Sequence, residues 1–566
     1  MPVFEADVCV IGAGISSAML AEKLSELRPG LAITVVEAGS GLFDVASRVR
    51  ARQRALDYGE NPWPGDLLED QAGAEGLTAL TMAVGGLALR WGGACNRFSA
   101  EDFRLKSMYG LAEDWALSYE DLEPYYGEAE RRLNVFGDPS PYPEDARSQP
   151  YPVPALRLSY NLQQLKGIAE RSGTLFAPLP MAHNLKPFGG RGACCVFDTC
   201  GEVCPSGARY SPDFTFKQLV AAGKITLHDR TLVQRLILDD QRGTIVAAQA
   251  VHRDRPEQAV EYRARYFVLA SGYAWSPHLL LLSACSRFPD GLANRSGLVG
   301  CYMNGHKFLQ GQATIDTQLY SGQNQSYSLI SRRFFRSAPD RPFVRHDTRV
   351  WESAAGRGPR LRDAAGKILL GDRLLDDWRK RAAGGSVRLR AYYDVHPSKD
   401  SRLTLNPAAR NRWGDPLPRI EHRIDEPSLA REAATKNHIV EVFTSLVEAD
   451  HGKLLGTSEG GYLDHPAGGC RMGNDPTTSV CDSVGRTHDH ENLFVVGSPT
   501  MPTAGCTNGT LTFVALTLRS AERIAQELGG GRGPKAEAAR GKRSTSSTTS
   551  RTSVFSGGSH GREQGV

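Results

Sequence analysis

The apolar positions of this chain follow two rhythms. Near the start, Val8-Cys-Val-Ile11 is an unbroken apolar run, and Ile33-Thr-Val-Val36 is another. Such runs fit strands buried on both faces, as in parallel sheets covered by helices. A glycine turn and a helical stretch lie between them, so Asp7 to Glu37 reads as strand, turn, helix, strand. Further short strands are predicted at Ile225 to Leu227, Val233 to Leu238, Thr244 to Val251 and Tyr266 to Leu269. A helix is expected to open at Pro277, since proline suits a first turn. Residues 306–420 have the other rhythm: apolar and polar positions alternate, with many arginines and aromatics. Period two is the mark of a half-buried sheet, largely antiparallel, and the segment reads as a second domain inserted in the first. Glu491 to Gly497 is another buried strand, and Leu511 to Leu528 a helix stopped by glycines. No internal repeat is found.

Composition narrows the class. A chain of 566 residues is too long for one ordinary domain. With 40% hydrophobic and 23% charged residues it has the balance of a soluble globular protein. The net charge of +4 is small and gives no reason to expect nucleic acid as a partner. No apolar run is long enough to span a membrane, and direct insertion is not expected. The first residues lack the basic stretch and apolar core of a secretory signal. The expected location is the periplasm, reached on a partner's export signal, or the cytoplasm. From about Gly531 to Val566, Ser, Thr, Gly, Arg and Lys replace apolar residues, which predicts a disordered tail.

The glycine turn is a candidate nucleotide site. Gly12 permits a tight turn after the first strand, and Gly14 lets backbone approach a pyrophosphate. Ile15 and Ser16 open the helix, whose N-terminal amides favour an anion. Glu37 ends the second strand, where a carboxylate accepts from ribose hydroxyls. An acid there disfavours a 2′-phosphate, leaving FAD or NAD. The competing reading is a tight turn in an unrelated α/β fold.

Several segments together resemble the glucose–methanol–choline (GMC) family of FAD oxidoreductases. They are Gly85-Gly-Leu-Ala-Leu-Arg-Trp-Gly-Gly-Ala-Cys-Asn-Arg97, Gly297 to His306, His465-Pro-Ala-Gly-Gly-Cys-Arg-Met-Gly473, Asn492 to Gly497 and Asn508-Gly-Thr-Leu-Thr512. The resemblance runs from about residue 5 to 528. It implies FAD, and an α/β fold with a Rossmann-type FAD-binding domain and an inserted substrate domain on a mainly antiparallel sheet. The expected division is 1–305 and 421–530 for the FAD-binding and catalytic parts, 306–420 for the substrate domain, and 531–566 for the tail. The resemblance also implies a catalytic pair, His465 and Asn508, 43 positions apart. An imidazole takes the hydroxyl proton near neutral pH, and an uncharged amide holds the oxygen over the flavin. Gly93, Asn96, Val233, Ser498 and Asn508 are expected at the cofactor, with Asp482 near its flavin side. In pyranose-oxidase-like members a histidine in the flavin loop bonds the flavin covalently. Arg90 stands at the corresponding position, so FAD is expected to be non-covalent.

Four of the 11 cysteines fall within eleven residues: Cys194, Cys195, Cys200 and Cys204. Thiolates this dense suit an iron–sulfur cluster, whereas adjacent cysteines fit zinc spacing poorly. The segment, about 190–210, resembles the cluster-binding stretch in large subunits of bacterial FAD-dependent glucose and glucoside dehydrogenases. That implies a 3Fe-4S cluster on Cys194, Cys195 and Cys200, with Cys204 a further candidate. A buried thiol group or a Cys200–Cys204 disulfide are the alternatives. The resemblance further implies a sugar or glycoside substrate, a small subunit, and a cytochrome c that takes the electrons. A dehydrogenase is thus the first expectation. An oxidase that passes electrons to O2, and a flavin-containing lyase of the same fold, are the others. His306 is expected to pack at the domain junction, His488 and His490 to lie on the surface, and Arg332, Arg333 and Arg336 to form a solvated basic face or a docking rim.

Overall fold

The computed structural model describes residues 1–41, 45–58, 81–145, 147–196, 204–320, 328–337, 343–352, 360–363 and 365–529. Strand β1 (Val3–Ile11) leads through the Gly12 turn into helix α1 (Ile15–Leu27) and strand β2 (Ile33–Val36). The apolar run of β1 is buried on both faces. Val8 and Val10 belong to one core with α1, while Cys9 and Ile11 belong to another. Gly12 makes the turn at φ +98°, and a Cβ there would lie 2.9 Å from the Ala270 carbonyl oxygen. Glycine alone fits both the dihedral and the contact.

Helix α2 (Tyr160–Arg171) comes next among the elements used here. Strands β3 (Thr226–His228), β4 (Thr231–Asp239), β5 (Thr244–His252) and β6 (Arg255–Leu269) then return to the first sheet. Its order is β3-β2-β1-β6-β5-β4. The β3, β2, β1 and β6 neighbours are parallel, and the β4–β5 ribbon joins β6 antiparallel. Helix α3 (Gly272–Leu282) follows. It begins five residues before Pro277, which therefore sits inside the helix rather than at its first turn.

The second sheet holds β7 (Asn304–Ile315), β8 (Leu329–Ser331), β9 (Thr348–Glu352) and β10 (Gly385–Asp394). Helix α4 (Glu426–Glu448) and strand β11 (Lys453–Ala467) complete it. The order is β11-β7-β10-β9-β8, and Ala177–Pro178 pairs at the far edge. All its pairings are antiparallel. Edge strand β11 and helix α4 come from beyond residue 420, so the second sheet extends past the alternating segment. The alternation does what a period of two requires. Val387, Leu389, Ala391 and Tyr393 of β10 pack with Ile439 and Phe443 of α4 and with Leu162 and Leu165 of α2. Arg388, Arg390 and Tyr392 face the opposite way, into a cavity.

The described part ends by returning to the first sheet. Strand β12 (Leu493–Val495) runs parallel to the end of β6. Asn492 fills the fork where β5 and β12 part, accepting from the Ile245 amide (2.9 Å) and donating to the Ile245 and Arg265 carbonyls (2.8 and 3.1 Å). Helix α5 (Thr510–Gly529) then packs beside α1. No helix among the described residues is long and apolar enough to cross a membrane. The predicted tail, 531–566, lies outside the described residues.

Candidate active site

A cavity of about 980 Å3 runs between the two sheets. At one end it is bounded by the β1–α1 turn and the end of β2. Gly12, Gly14, Ile15, Ser16 and Glu37 all line it, and so does Val233 of β4. A Cβ on Gly14 would meet nothing within 4 Å, so the bare backbone leaves open space at the helix N-terminus. Exposed amides and a positive dipole end there suit a pyrophosphate. Glu37 is buried and accepts from the Ala13 amide (2.7 Å) and the Gly39 amide (2.8 Å). Burial nevertheless pushes its carboxyl up to about 7. Hydroxyl donors from a ribose would favour the charged form further. These residues fit the adenosine diphosphate part of FAD.

Gly93 and Ser498 line the middle of the cavity, and exposed Arg90 joins them. Asn96 does not reach the surface. It is fully buried and donates to Thr507 Oγ1 at 3.0 Å, one layer behind the wall. Asp482 is also absent from the lining. Its carboxylate holds its own loop by accepting from the Val484 and Arg486 amides at 2.9 and 3.0 Å.

The other end holds His465 and Asn508. His465 sits at the end of β11, and Asn508 lies two residues before α5. Asn508 Nδ2 and His465 Nε2 are 2.6 Å apart. The amide's orientation is fixed from behind, because the Arg349 guanidinium donates to Asn508 Oδ1. Nδ2 must therefore donate toward His465, and Nε2 must accept. That places the proton of the neutral ring on Nδ1. Arg349 is itself held by Asp347, at 2.9 and 2.5 Å, and Thr507 Oγ1 donates to the same carboxylate oxygen at 3.1 Å. The other Asp347 oxygen accepts from the Tyr392 amide at 2.8 Å, which ties the network to β10.

His465 has φ +53°, a left-handed conformation that costs a residue with a side chain about 1–2 kcal/mol. Its neighbours hold it there. The rings of His306 and Tyr392 meet its ring edge-on, each with centroids 5.1 Å away. Just beyond, a Cβ on Gly468 would lie 2.1 Å from the Tyr302 carbonyl oxygen, so the backbone after His465 presses directly on backbone. Burial lowers the His465 pKa from its ordinary value; Asp464 opposes this and Arg349 adds to it. The ring is therefore neutral at pH 7 and can accept a proton.

A nucleotide cradle and a neutral histidine with an oriented amide thus share one cavity. The family model for GMC oxidoreductases matches residues 82–307 and 397–517, more than half of the sequence. The chain belongs to the GMC oxidoreductase family. It is 29% identical to the fructose dehydrogenase large subunit of Gluconobacter japonicus, over 92% of this chain and 98% of that protein. It is 31% identical to the 6'''-hydroxyparomomycin C oxidase of Streptomyces lividus, over 92% of each. Among solved structures, pyridoxine 4-oxidase from Mesorbium loti has the same fold, with a TM-score of 0.57 and 17% identity over 92% of this chain and 99% of that one.

The segment that carries the cysteines is hydrogen-bonded through Arg209 and Tyr210 to Leu89 and Trp91 of this GMC protein. Arg209 donates to the Leu89 and Trp91 carbonyls, and Trp91 Nε1 donates to the Tyr210 carbonyl at 2.8 Å. Cys194 is half-buried, Cys195 exposed and Cys204 buried. The Cys194 thiol is raised by burial first, and then by its neighbours Cys204 and Cys195. Cys200 lies outside the described residues. Among those described, no three metal-ligating side chains converge. Thiolates are the right donors for iron–sulfur, and the described part of the set is incomplete without Cys200.

His306 does pack where the sheets meet, buried beside His465 with Nε2 on the Ala504 carbonyl at 2.9 Å. His490 is not a surface residue. It is 1% exposed and bridges the Gly243 carbonyl and the Ala293 amide, at 3.0 and 3.2 Å. Two separate loops close over it, which local sequence does not reveal. Of the basic patch, Arg332 and Arg336 both bind Asp145, at 2.6 and 2.8 Å, while Arg333 is exposed. Sequence reading missed Asp347 and Arg349 altogether. Their only local signal is an Asp-x-Arg at the start of a strand, whose meaning depends on partners about 160 residues away.

Proposed function

We propose that this protein is an FAD-dependent dehydrogenase that oxidises a hydroxyl of a sugar or glycoside. The observation that carries the reading is the 2.6 Å contact between His465 and Asn508, in the cavity that begins at the Gly12–Ser16 cradle. Oxidising an alcohol to a carbonyl removes a proton from oxygen and a hydride from carbon. FAD, bound without a covalent link, would supply the two-electron acceptor for that hydride. His465 Nε2 takes the hydroxyl proton, and the Asn508 amide holds the oxygen without adding charge. Gly12, Gly14, Ile15, Ser16, Glu37, Gly93, Val233 and Ser498 hold the cofactor, with Asn96 and Thr507 supporting from behind. The likeness to a fructose dehydrogenase large subunit supports a sugar substrate and a partner subunit.

Cys194, Cys195 and Cys200, with Cys204 as a fourth candidate, would hold a 3Fe-4S cluster. Such a cluster supplies one-electron transfer, which suits delivery to a cytochrome c. The hydrogen bonds between the cysteine-bearing segment and the flavin loop support that relay. A second reading, an oxidase that delivers electrons to O2, is favoured by the 31% identity to an oxidase. Iron and acid-labile sulfide in anaerobically purified protein, with an electron paramagnetic resonance spectrum, separate the two. About three irons per FAD and a three-iron signal are expected. FAD without iron, from cells able to build clusters, together with O2 consumption on sugar, would leave the oxidase.

A further inference from the structure

The wall facing His465 carries more positive charge than the reaction requires. Arg349 and Trp351 of β9 lie opposite Arg390 and Arg388 of β10, and all four line the cavity with Tyr392. Arg349 is neutralised by Asp347. Among the described residues, neither Arg388 nor Arg390 has a carboxylate in ion-pair contact. Arg390 donates to Tyr392 Oη at 3.2 Å and Gln310 Oε1 at 3.5 Å, and its buried Nε has no partner. Its guanidinium lies over the rings of Phe308, Trp351 and Tyr392, at 4.6, 5.4 and 5.7 Å. Arg388 is exposed. Among the described residues, the acid lining this end is Asp464, which offsets one of the two cations and leaves an excess.

We infer that Arg388 and Arg390 form a subsite for an oxyanion on the substrate, so that the preferred sugar carries a carboxylate or phosphate. The inference rests on the hydroxyl-oxidation reading above. Guanidinium forks match planar and tetrahedral oxyanions and bind them by paired hydrogen bonds. Aromatic faces hold Arg390 in place, so little side-chain entropy is lost on binding. The register sets the reach. Tyr392 touches the His465 ring, and each two-residue step along a strand is about 7 Å. Arg390 and Arg388 therefore sit one and two steps from the catalytic pair, placing the anion at the far side of the sugar from the oxidised hydroxyl. A cationic amino sugar is disfavoured by the same wall.

The test compares anaerobic flavin reduction in the holoenzyme by four hexose probes: a neutral sugar, a uronic acid, a sugar phosphate and an amino sugar. The uronic acid or the phosphate should give the highest kcat/KM, at least about tenfold above the neutral sugar. The amino sugar should be the poorest. Whichever anion is preferred, its KM should rise with ionic strength. R388Q and R390Q should each lower the anion-to-neutral ratio about tenfold, mainly through KM. A neutral sugar that outperforms both anions would overturn the inference while leaving hydroxyl oxidation intact. No bleaching by any sugar would remove the hydroxyl-oxidation reading itself. Loss of bound FAD in R388Q or R390Q, with the ratio unchanged, would assign the arginines to the cofactor and overturn the subsite.

Discussion

The two ends of the cavity are built from different materials. At the cofactor end the wall is backbone: a glycine turn, a helix N-terminus and a carboxylate held by two amides. At the other end it is long side chains, with Arg349, Arg388, Arg390, Trp351 and Tyr392 projecting from one sheet face toward His465. The core of the first end is specified within one short stretch of sequence, Ile11 to Gly39. The second requires β7, β9, β10, β11 and the start of α5 to meet, with partners up to about 160 positions apart. A backbone cradle recognises what every family member shares. A side-chain wall can be rewritten position by position, which is where substrate choice is free to change.

The largest effect should come from the side-chain end. His465→Ala removes the proton acceptor and should lower the rate of anaerobic flavin reduction about 10^3-fold, within the range of general-base catalysis. Bound FAD should be retained, because no nucleotide-end contact involves His465. Stopped-flow bleaching beside a flavin spectrum checks both. A rate within a few fold of the parent would remove His465 from the chemistry and break the division between the two ends.

That division also explains what could be read without coordinates. The Gly12–Glu37 unit was legible because turn, dipole and terminal acid are local. The alternation in 306–420 foretold a sheet with one buried face, and β10 has it. That His465 and Asn508 meet was legible only through family likeness, since nothing local to a histidine before a proline points to a partner 43 positions on. Asp347 and Arg349 were not legible, because their roles come from register with β10 and from the loop before α5. The burial of His490 escaped for the same reason: two distant loops cover it. Strand β11 was not read as part of the second sheet because Gly456, Gly460 and Gly461 interrupt its apolar pattern, and its place comes from pairing with β7.

A smaller effect, on two observables at once, is expected at Arg349. Arg349→Met leaves Asp347 buried without its cation, and breaking such a pair costs about 3–5 kcal/mol. Thermal unfolding should show a lower Tm. The amide of Asn508 also loses the donor that orients it, so kcat should fall about tenfold or more, as for a lost positioning contact. Adding Asp347→Asn removes the stranded charge. The double variant should recover most of the Tm while kcat stays low. Recovery of both together would mean that Arg349 serves folding alone, with no part in holding the amide.

The smallest effect is one of sign. His465 must be neutral to act, so kcat/KM should be flat at neutral pH and fall as the pH drops through its pKa. Burial is the main cause that holds this pKa below the ordinary 6.5. The acid limb should therefore lie below pH 6.5. Asp464 opposes the shift and Arg390 adds to it, so neutralising them should move the limb in opposite directions. Asp464→Asn removes an anion that favours the charged ring, and the limb should move to lower pH. Arg390→Gln removes a cation that disfavours it, and the limb should move to higher pH. A neutral substrate is needed, so that loss of the proposed anion subsite does not enter the profile. Shifts of the same sign would mean that the limb reports another group. Opposite shifts would tie the arginine wall electrostatically to the proton-accepting nitrogen, through a pH profile that a purely structural role for either residue would leave in place.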